Sequence, residues 1–425
     1  MILLAIIFIV IIALLGAPIF VVVSSFAILG FLSADIHLSA IVVDVYNNFA
    51  NTPLLYTIPL FAFTGYILAE SKTSTRIINV SKALVGWMPG GLAIVSLVTC
   101  AFFTAFTGAS GVTIIALGGI LYPSLIKERY PEKFSLGLLT SSGSLGLLFA
   151  PSLPIIMYGA VSETNIIHLF VAGLIPGILL IIILSIYSTY TAKMNRLPKA
   201  KVSFMQVVKA VNEAKWELVI PVIIIVGIFG GFVTLGEVAA ITIAYSLIIE
   251  IYIYKDIKLK NIPLIMKQSM ILVGGILIIM GSAYGLTNYM VDAEIPMVIL
   301  NFMRTYITSK IVFLIILNIF LLIVGCLLDI YSAILVVVPL ILPIAKSYGV
   351  DPVHLGIIFL TNLEIGYSTP PVGMNLFISS FRFKKSIISL YGAAIPFLGL
   401  LLIGLLIITY VPQLSLGLID FLGIK

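Results

Sequence analysis

Apolar segments fall near residues 2–31, 51–69, 88–126, 134–165, 169–190, 219–235, 236–254, 269–290, 311–345, 353–381 and 387–411, with short polar connections between them. Most reach the roughly 20 apolar residues that cross a bilayer as a helix, and none alternates as a transmembrane β-strand would. The pattern predicts an all-α polytopic membrane protein in which 1–425 is a single integral unit. No charge precedes Asp35, so Ile2 to Phe31 lacks the basic start of a cleaved signal peptide and is expected to stay as one helix, despite Gly16-Ala17-Pro18. Ser33 to Ala50 reads differently. Leu38, Ile41, Val42, Val45, Tyr46 and Phe49 recur at helical spacing, with Asp35, Asp44, Asn47 and Asn48 on other faces, so this helix should lie in the interface. Ser203 to Lys215 reads as a second amphipathic connector, with Ser203/Gln206 as a capping pair and Phe204, Val208 and Val211 on one side.

Composition agrees. The 425 residues are 61% hydrophobic and 9% charged, against about 25% charged in soluble domains, and a mean hydropathy of +1.25 excludes a soluble protein. Cys100 and Cys326 stand alone in apolar runs, which makes neither a disulfide framework nor a metal cluster. Net charge is +6, but the basic residues sit in short loops rather than on one stripe, and they imply no nucleic-acid partner.

Sliding the chain along itself by 219 residues lays Phe134-Ser-Leu-Gly-Leu-Leu on Val353-His-Leu-Gly-Ile-Ile, Gly137 on Gly356 and Pro151 on Pro370. Such internal symmetry is expected of transporters. The stretches 88–126 and 311–345 could each be two spans or a re-entrant hairpin, and charge decides between them. If both are hairpins, the loops at 71–83, 126–133, 191–217, 255–267 and 382–385 share one side and hold all of the 23 Lys and Arg except Arg304, Lys310, Lys346 and Lys425. If each crosses, the basic residues spread more evenly. The positive-inside rule therefore favours hairpins, places those loops in the cytoplasm, and opens the two hairpins to opposite sides. The expected organisation is a first inverted repeat over 1–190 with hairpin 88–126, a cytoplasmic linker and connecting helix over 191–235, and a second repeat over 236–425 with hairpin 311–345.

Each hairpin carries its irregular residues at its middle, Thr107-Gly108-Ala109-Ser110-Gly111-Val112-Thr113 and Gly325-Cys326-Leu327-Leu328-Asp329-Ile330-Tyr331-Ser332. The following segments are interrupted too, Ser141-Ser142-Gly143-Ser144-Leu145-Gly146 before Pro151 and Thr361 to Thr369 before Pro370-Pro371. Proline removes an amide donor and clashes one turn back, so both helices should unwind. Four half-helix ends then converge near mid-membrane, where positive N-terminal ends suit an anion while freed carbonyls and hydroxyls suit a hard cation such as sodium. One sodium site is expected between Gly108/Ser110 and Ser144/Gly146, and a second between Asp329/Ser332 and Asn362/Thr369. With no Lys or Arg inside an apolar core, the charge of an anionic substrate must be met mainly by amide dipoles, hydroxyls and bound cations, and the expected place is the amides of Ser110, Gly111 and Thr113, beside Ser144 and Asn375. Asp329 and Glu364 are the carboxylates inside these stretches, and charge at that depth is costly enough to imply function. The plainer readings are that Asp329 caps a helix and that Glu364 is protonated or turned to water. Gly108-Ala-Ser110-Gly also fits the Gly-x-Ser-Gly pattern of intramembrane serine proteases. Such a serine needs a histidine base, and His37, His168 and His354 all sit away from the expected depth of Ser110, so an enzyme is disfavoured.

These residues resemble the large membrane subunit of the TRAP (tripartite ATP-independent periplasmic) transporters. The resemblance rests on Pro59-Leu60-Phe61 with Gly65, Gly108-Ala-Ser-Gly, Leu145-Gly146 with Pro151-Ser152, Asp351-Pro352-Val-His-Leu-Gly356 and, most specifically, Thr369-Pro-Pro-Val-Gly373-Met-Asn-Leu. Ala150 stands where the family usually has a proline, and Leu235-Gly236-Glu237 where it has a threonine-rich motif. The resemblance implies sodium-driven, elevator-type import of a dicarboxylate, sialic acid or other sugar acid across a bacterial inner membrane. It also implies a small four-helix membrane subunit and a periplasmic binding protein as partners. A stand-alone sodium/anion symporter of the same architecture is the alternative.

Overall fold

The computed structural model describes residues 2–51, 53–197 and 204–423, and among these there are helices and turns but no strand. The first apolar segment is not one helix. α1 (Ile2–Leu14) and α2 (Ile19–Ser33) are separated by Gly16, whose φ of +91° lies in the left-handed region, and by Pro18, which has no N–H to continue a helix. α3 (Ser39–Asn51) is the expected amphipathic helix, and its 13 residues are too few to cross a bilayer. α4 (Thr57–Glu70) is followed by α5 (Thr73–Val85), a helix where a basic loop was expected. It buries Ile77 and Ile78.

The first hairpin is α6 (Gly91–Thr107) and α7 (Ser110–Lys127). Thr104 and Thr113, nine residues apart, would be separated by about 13 Å along a continuous helix; their hydroxyls are 2.7 Å apart, so the chain turns back. At the open end Lys82 and Glu128 lie within 3.6 Å. α8 (Glu132–Ser142), a 3-10 turn (Leu145–Leu148) and α9 (Leu153–Ser162) form an interrupted helix bent by 46°, and α10 (Ile166–Met194) returns.

The connector α11 (Phe204–Glu213) exposes Phe204 and Val208 and buries Ala210; Ser203, its expected cap, lies outside the described residues. α12 (Lys215–Phe229), α13 (Leu235–Ile248) and α14 (Ile262–Asp292) follow, then the short α15 (Ile295–Tyr306). The second hairpin is α16 (Lys310–Leu327) and α17 (Ile330–Ser347). Its open end is closed by Lys310 Nζ donating to the Gly349 carbonyl over 2.6 Å and by Phe313 stacked on Tyr348 with ring centroids 4.5 Å apart. α18 (Pro352–Gly366) and α19 (Met374–Phe383) make the second interrupted helix, and α20 (Ile387–Tyr410) and α21 (Gln413–Leu422) end the chain.

Contacts fix the inversion. α8 starts at the mouth of the first hairpin, where Glu132 pairs with Lys385 just past α19. It ends, through α9, where the Tyr158 hydroxyl donates to the Pro352 carbonyl over 2.8 Å at the mouth of the second hairpin. The interrupted helices are therefore antiparallel and the hairpins open to opposite faces. The glycines matched by the repeat are both close-approach positions: a Cβ on Gly137 would lie 2.1 Å from the Ala393 carbonyl of α20, and one on Gly356 would lie 2.6 Å from the Tyr158 ring.

The 71–83 region, expected as a basic loop, holds a buried ion network instead. Arg76 of α5 is nearly buried, paired with Glu217 of α12, with Glu250 at 3.4 Å and with Asp256 at 2.8 Å, under the Tyr254 ring at 3.8 Å. It ties α5 to the ends of α12 and α13.

Candidate functional site

Both hairpin tips and both helix breaks meet in one buried polar centre. Gly108 closes α6 with φ +64°, a conformation that strains any side chain, and the extended Ala109 leads into α7. The Gly108 carbonyl accepts from the Tyr331 hydroxyl of the opposite tip over 2.8 Å. Thr104 Oγ1 donates to the Gly143 carbonyl over 2.7 Å, which leaves Thr113 Oγ1 to donate to Thr104. Ser110 Oγ donates to Asn375 Oδ1 over 2.7 Å, and Asn375 Nδ2 in turn to the Thr140 carbonyl over 3.3 Å. The two breaks run antiparallel across each other: Ser144 Oγ donates to the Glu364 carbonyl over 3.3 Å, and Ser368 Oγ to the Thr140 carbonyl over 3.5 Å.

At the second tip Asp329 is the N-cap of α17. Its Oδ1 accepts from the amides of Tyr331 and Ser332, each at 3.1 Å, and Oδ2 accepts from Ser332 Oγ. The Tyr367 hydroxyl accepts from the Ile330 amide, and Cys326 Sγ donates to the Thr369 carbonyl over 3.2 Å. The helix-capping reading of Asp329 is thus present in the geometry. Its consequence is an asymmetry between the tips. The α17 N-terminus already holds a carboxylate, whereas no side chain caps α7.

The residues singled out from sequence are placed as follows. Ser110 and Asn375 are bonded to each other, while Gly111 lies under Ile378 and Thr113 is engaged with Thr104. Ser144 faces the Glu364 backbone rather than Ser110, and Gly146 packs on the α6 backbone at Ala101. Asp329 and Ser332 are together, and Thr369 stands near them through Cys326. Asn362 turns the other way: its Nδ2 donates to Asn318 Oδ1 of α16 over 2.8 Å. Tyr331, Tyr367, Thr104 and Thr140 belong to the centre but carried no spacing signal.

Among the described residues, Ser141 Oγ, Ser142 Oγ, Asn362 Oδ1 and both carboxylate oxygens of Glu364 are buried without a hydrogen-bond partner. Buried polar atoms are ordinarily satisfied, and oxygens left without a partner at the helix breaks are the kind that ligate a small hard cation. No group of three or more His, Cys, Asp or Glu is placed to hold a metal among the described residues. A cation here would therefore depend on carbonyl and hydroxyl oxygens.

Residues 3–414 match the family model for the DctM component of the tripartite ATP-independent periplasmic transporters. The chain is 35% identical to the C4-dicarboxylate TRAP transporter large permease protein DctM of Vibrio cholerae, over 97% of this chain and 96% of that protein. It is 33% identical to the sialic acid TRAP transporter large permease protein SiaM of the same species, over 87% of each. In structure it resembles the YdaH transporter of Alcanivorax borkumensis, with a TM-score of 0.59 and 14% identity, over 91% of this chain and 89% of that one, a likeness of fold alone. These relatives are transporter permeases rather than enzymes. Among the described residues, seven helices are long and apolar enough to cross a membrane, or eight if the bent pair of α8 and α9 is one span, as a multi-pass inner-membrane protein requires. The chain belongs to the DctM family of TRAP transporter large permeases.

Proposed function

We propose that the chain is the translocating subunit of a sodium-coupled importer for a small organic anion. It works with a small four-helix membrane subunit and a periplasmic binding protein that delivers the substrate. The single observation that carries this reading is the difference between the two tips. The uncapped N-terminus of α7 offers amides to a carboxylate, while the α17 N-terminus is filled by Asp329, which leaves that tip to a cation. The relatives named for C4-dicarboxylates and sialic acid support the organic-acid class for the substrate. The uncompensated oxygens at the breaks support sodium as the driving ion.

In this reading the hairpins and interrupted helices move as one elevator body, bound together by the Tyr331–Gly108 and Ser110–Asn375 bonds across their centre. The body carries anion and sodium together, because a desolvated carboxylate without nearby positive charge is very costly. Reconstituting the chain with its candidate partners and scanning labelled organic acids, with and without an inward sodium gradient, tests the proposal. Accumulation of one acid that needs both the gradient and the binding protein is expected. Accumulation indifferent to sodium would overturn it.

A further inference from the structure

Beside the polar centre lies a cavity of about 560 Å³ with only apolar side chains on its walls. Phe102 and Phe106 of α6, Phe149 at the first break and Leu174 of α10 form one side, and Ile224 and Phe229 of α12 form the other. The cavity thus separates the hairpin from α12, which is tied to α5 by Arg76. A space of this size lined only by hydrocarbon does not fill with water. It is of ligand size.

A second groove lies along the same two helices. Val98 of the cavity and Ile94 of the groove are one turn apart on one face of α6, and Ile181 of the cavity is followed on α10 by Ile182 of the groove. Along α10 the groove then turns polar, through Ser185, Thr189 and Tyr190, and ends at Lys193. Gly90, at the mouth of the hairpin, lies against the Ser188 backbone, and Gly173 lies against Leu148 at the break. Along α10 the cavity ends at Ile181 and Lys193 stands twelve residues further on, about 18 Å, a distance that a phospholipid headgroup and the upper part of its acyl chains can cover.

We propose that the cavity and the groove beside it together form a binding site for one anionic phospholipid. Its phosphate lies at Lys193 and Tyr190, and an acyl chain fills the cavity between α6 and α12. The basic and hydroxyl-bearing end takes the headgroup, and the aromatic end takes the hydrocarbon. The lipid is then a packing element between the hairpin and its neighbour, and sliding of the hairpin past α12 must carry or displace it.

The test uses the full chain in phosphatidylcholine vesicles doped with a phospholipid bearing a photoreactive diazirine at the end of one acyl chain, with adducts mapped by peptide. Adducts are expected on 102–106 and 224–229. They should be lost when Leu174→Trp or Ile225→Trp fills the cavity, while adducts at Ile319 on the outer face of α16 persist. Labelling by a phosphatidylglycerol probe should exceed that by a phosphatidylcholine probe. Lys193→Glu should cut the phosphatidylglycerol labelling roughly fivefold and spare the other. Labelling at Ile319 with none in the cavity would overturn the proposal, as would cavity labelling that ignores headgroup charge and both Trp substitutions.

Discussion

The Tyr331 hydroxyl donates to the Gly108 carbonyl over 2.8 Å, joining residues 223 positions apart at the tips of two hairpins that open to opposite faces. The bond is buried and direct. It makes the two tips one object, so events at either tip are felt at the other.

Removing only that hydroxyl is a clean test of the coupling. Tyr331→Phe should cost about 0.5–1.5 kcal/mol and leave the fold intact. We expect the sodium dependence of uptake to shift while thermal stability changes little. A large fall in melting temperature with unaltered sodium dependence would make the bond merely structural.

Ser110 and Asp329 should both affect the driving ion, by different routes. Ser110→Ala frees Asn375 Oδ1 at the first tip; Asp329→Ala removes both a carboxylate and a helix cap, the cap alone being worth about 1 kcal/mol. Each should raise the sodium concentration for half-maximal uptake. Asp329→Asn, which still caps, separates charge from capping. If the Asn variant matches the parent chain, charge at this position is irrelevant to coupling.

Much of this arrangement was legible in sequence, and the rest was not for definite reasons. Hairpins and breaks announced themselves because Gly, Pro and uneven loop charge report directly on backbone and sidedness. Gly16-Ala17-Pro18 marked the break between α1 and α2, but both halves of the run remain apolar, so hydropathy alone does not divide it. The partnership of Ser110 with Asn375 spans 265 positions and depends on how α7 meets α19. Arg76 stands in the 71–83 loop, Glu217 and Asp256 border apolar runs where a solvated charge is ordinary, and Glu250 lies near the end of one; only the fold gathers them.

That ion network yields a stability prediction. Arg76→Met leaves buried carboxylates unpaired and should cost about 3–5 kcal/mol. Arg76→Lys should recover part of it, because a point charge cannot serve several carboxylates as the planar guanidinium does. Thermal unfolding of the purified protein, followed by its monodispersity after heating, measures both. Two variants as stable as the parent would show that the network contributes nothing.

The repeat glycines are equally exposed to test. Gly137→Ala places a methyl against the Ala393 carbonyl, and Gly356→Ala places one against the Tyr158 ring. Overpacking of this kind typically costs about 1–3 kcal/mol. Gly137→Ala should be the worse of the two, because backbone cannot rotate aside as a ring can. Yield and melting temperature of the purified variants check the order.

The central claim is that the anion is held by the uncapped α7 helix end together with sodium, and not by a basic side chain. Its most direct test is the affinity of the transported acid for the purified protein, measured in sodium and again in a large inert cation at equal ionic strength. Reciprocal coupling of the usual 1–3 kcal/mol predicts binding weaker by about 5- to 150-fold without sodium. Equal affinity in the two media would contradict the account and point instead to a counter-charge from a loop residue such as Arg304.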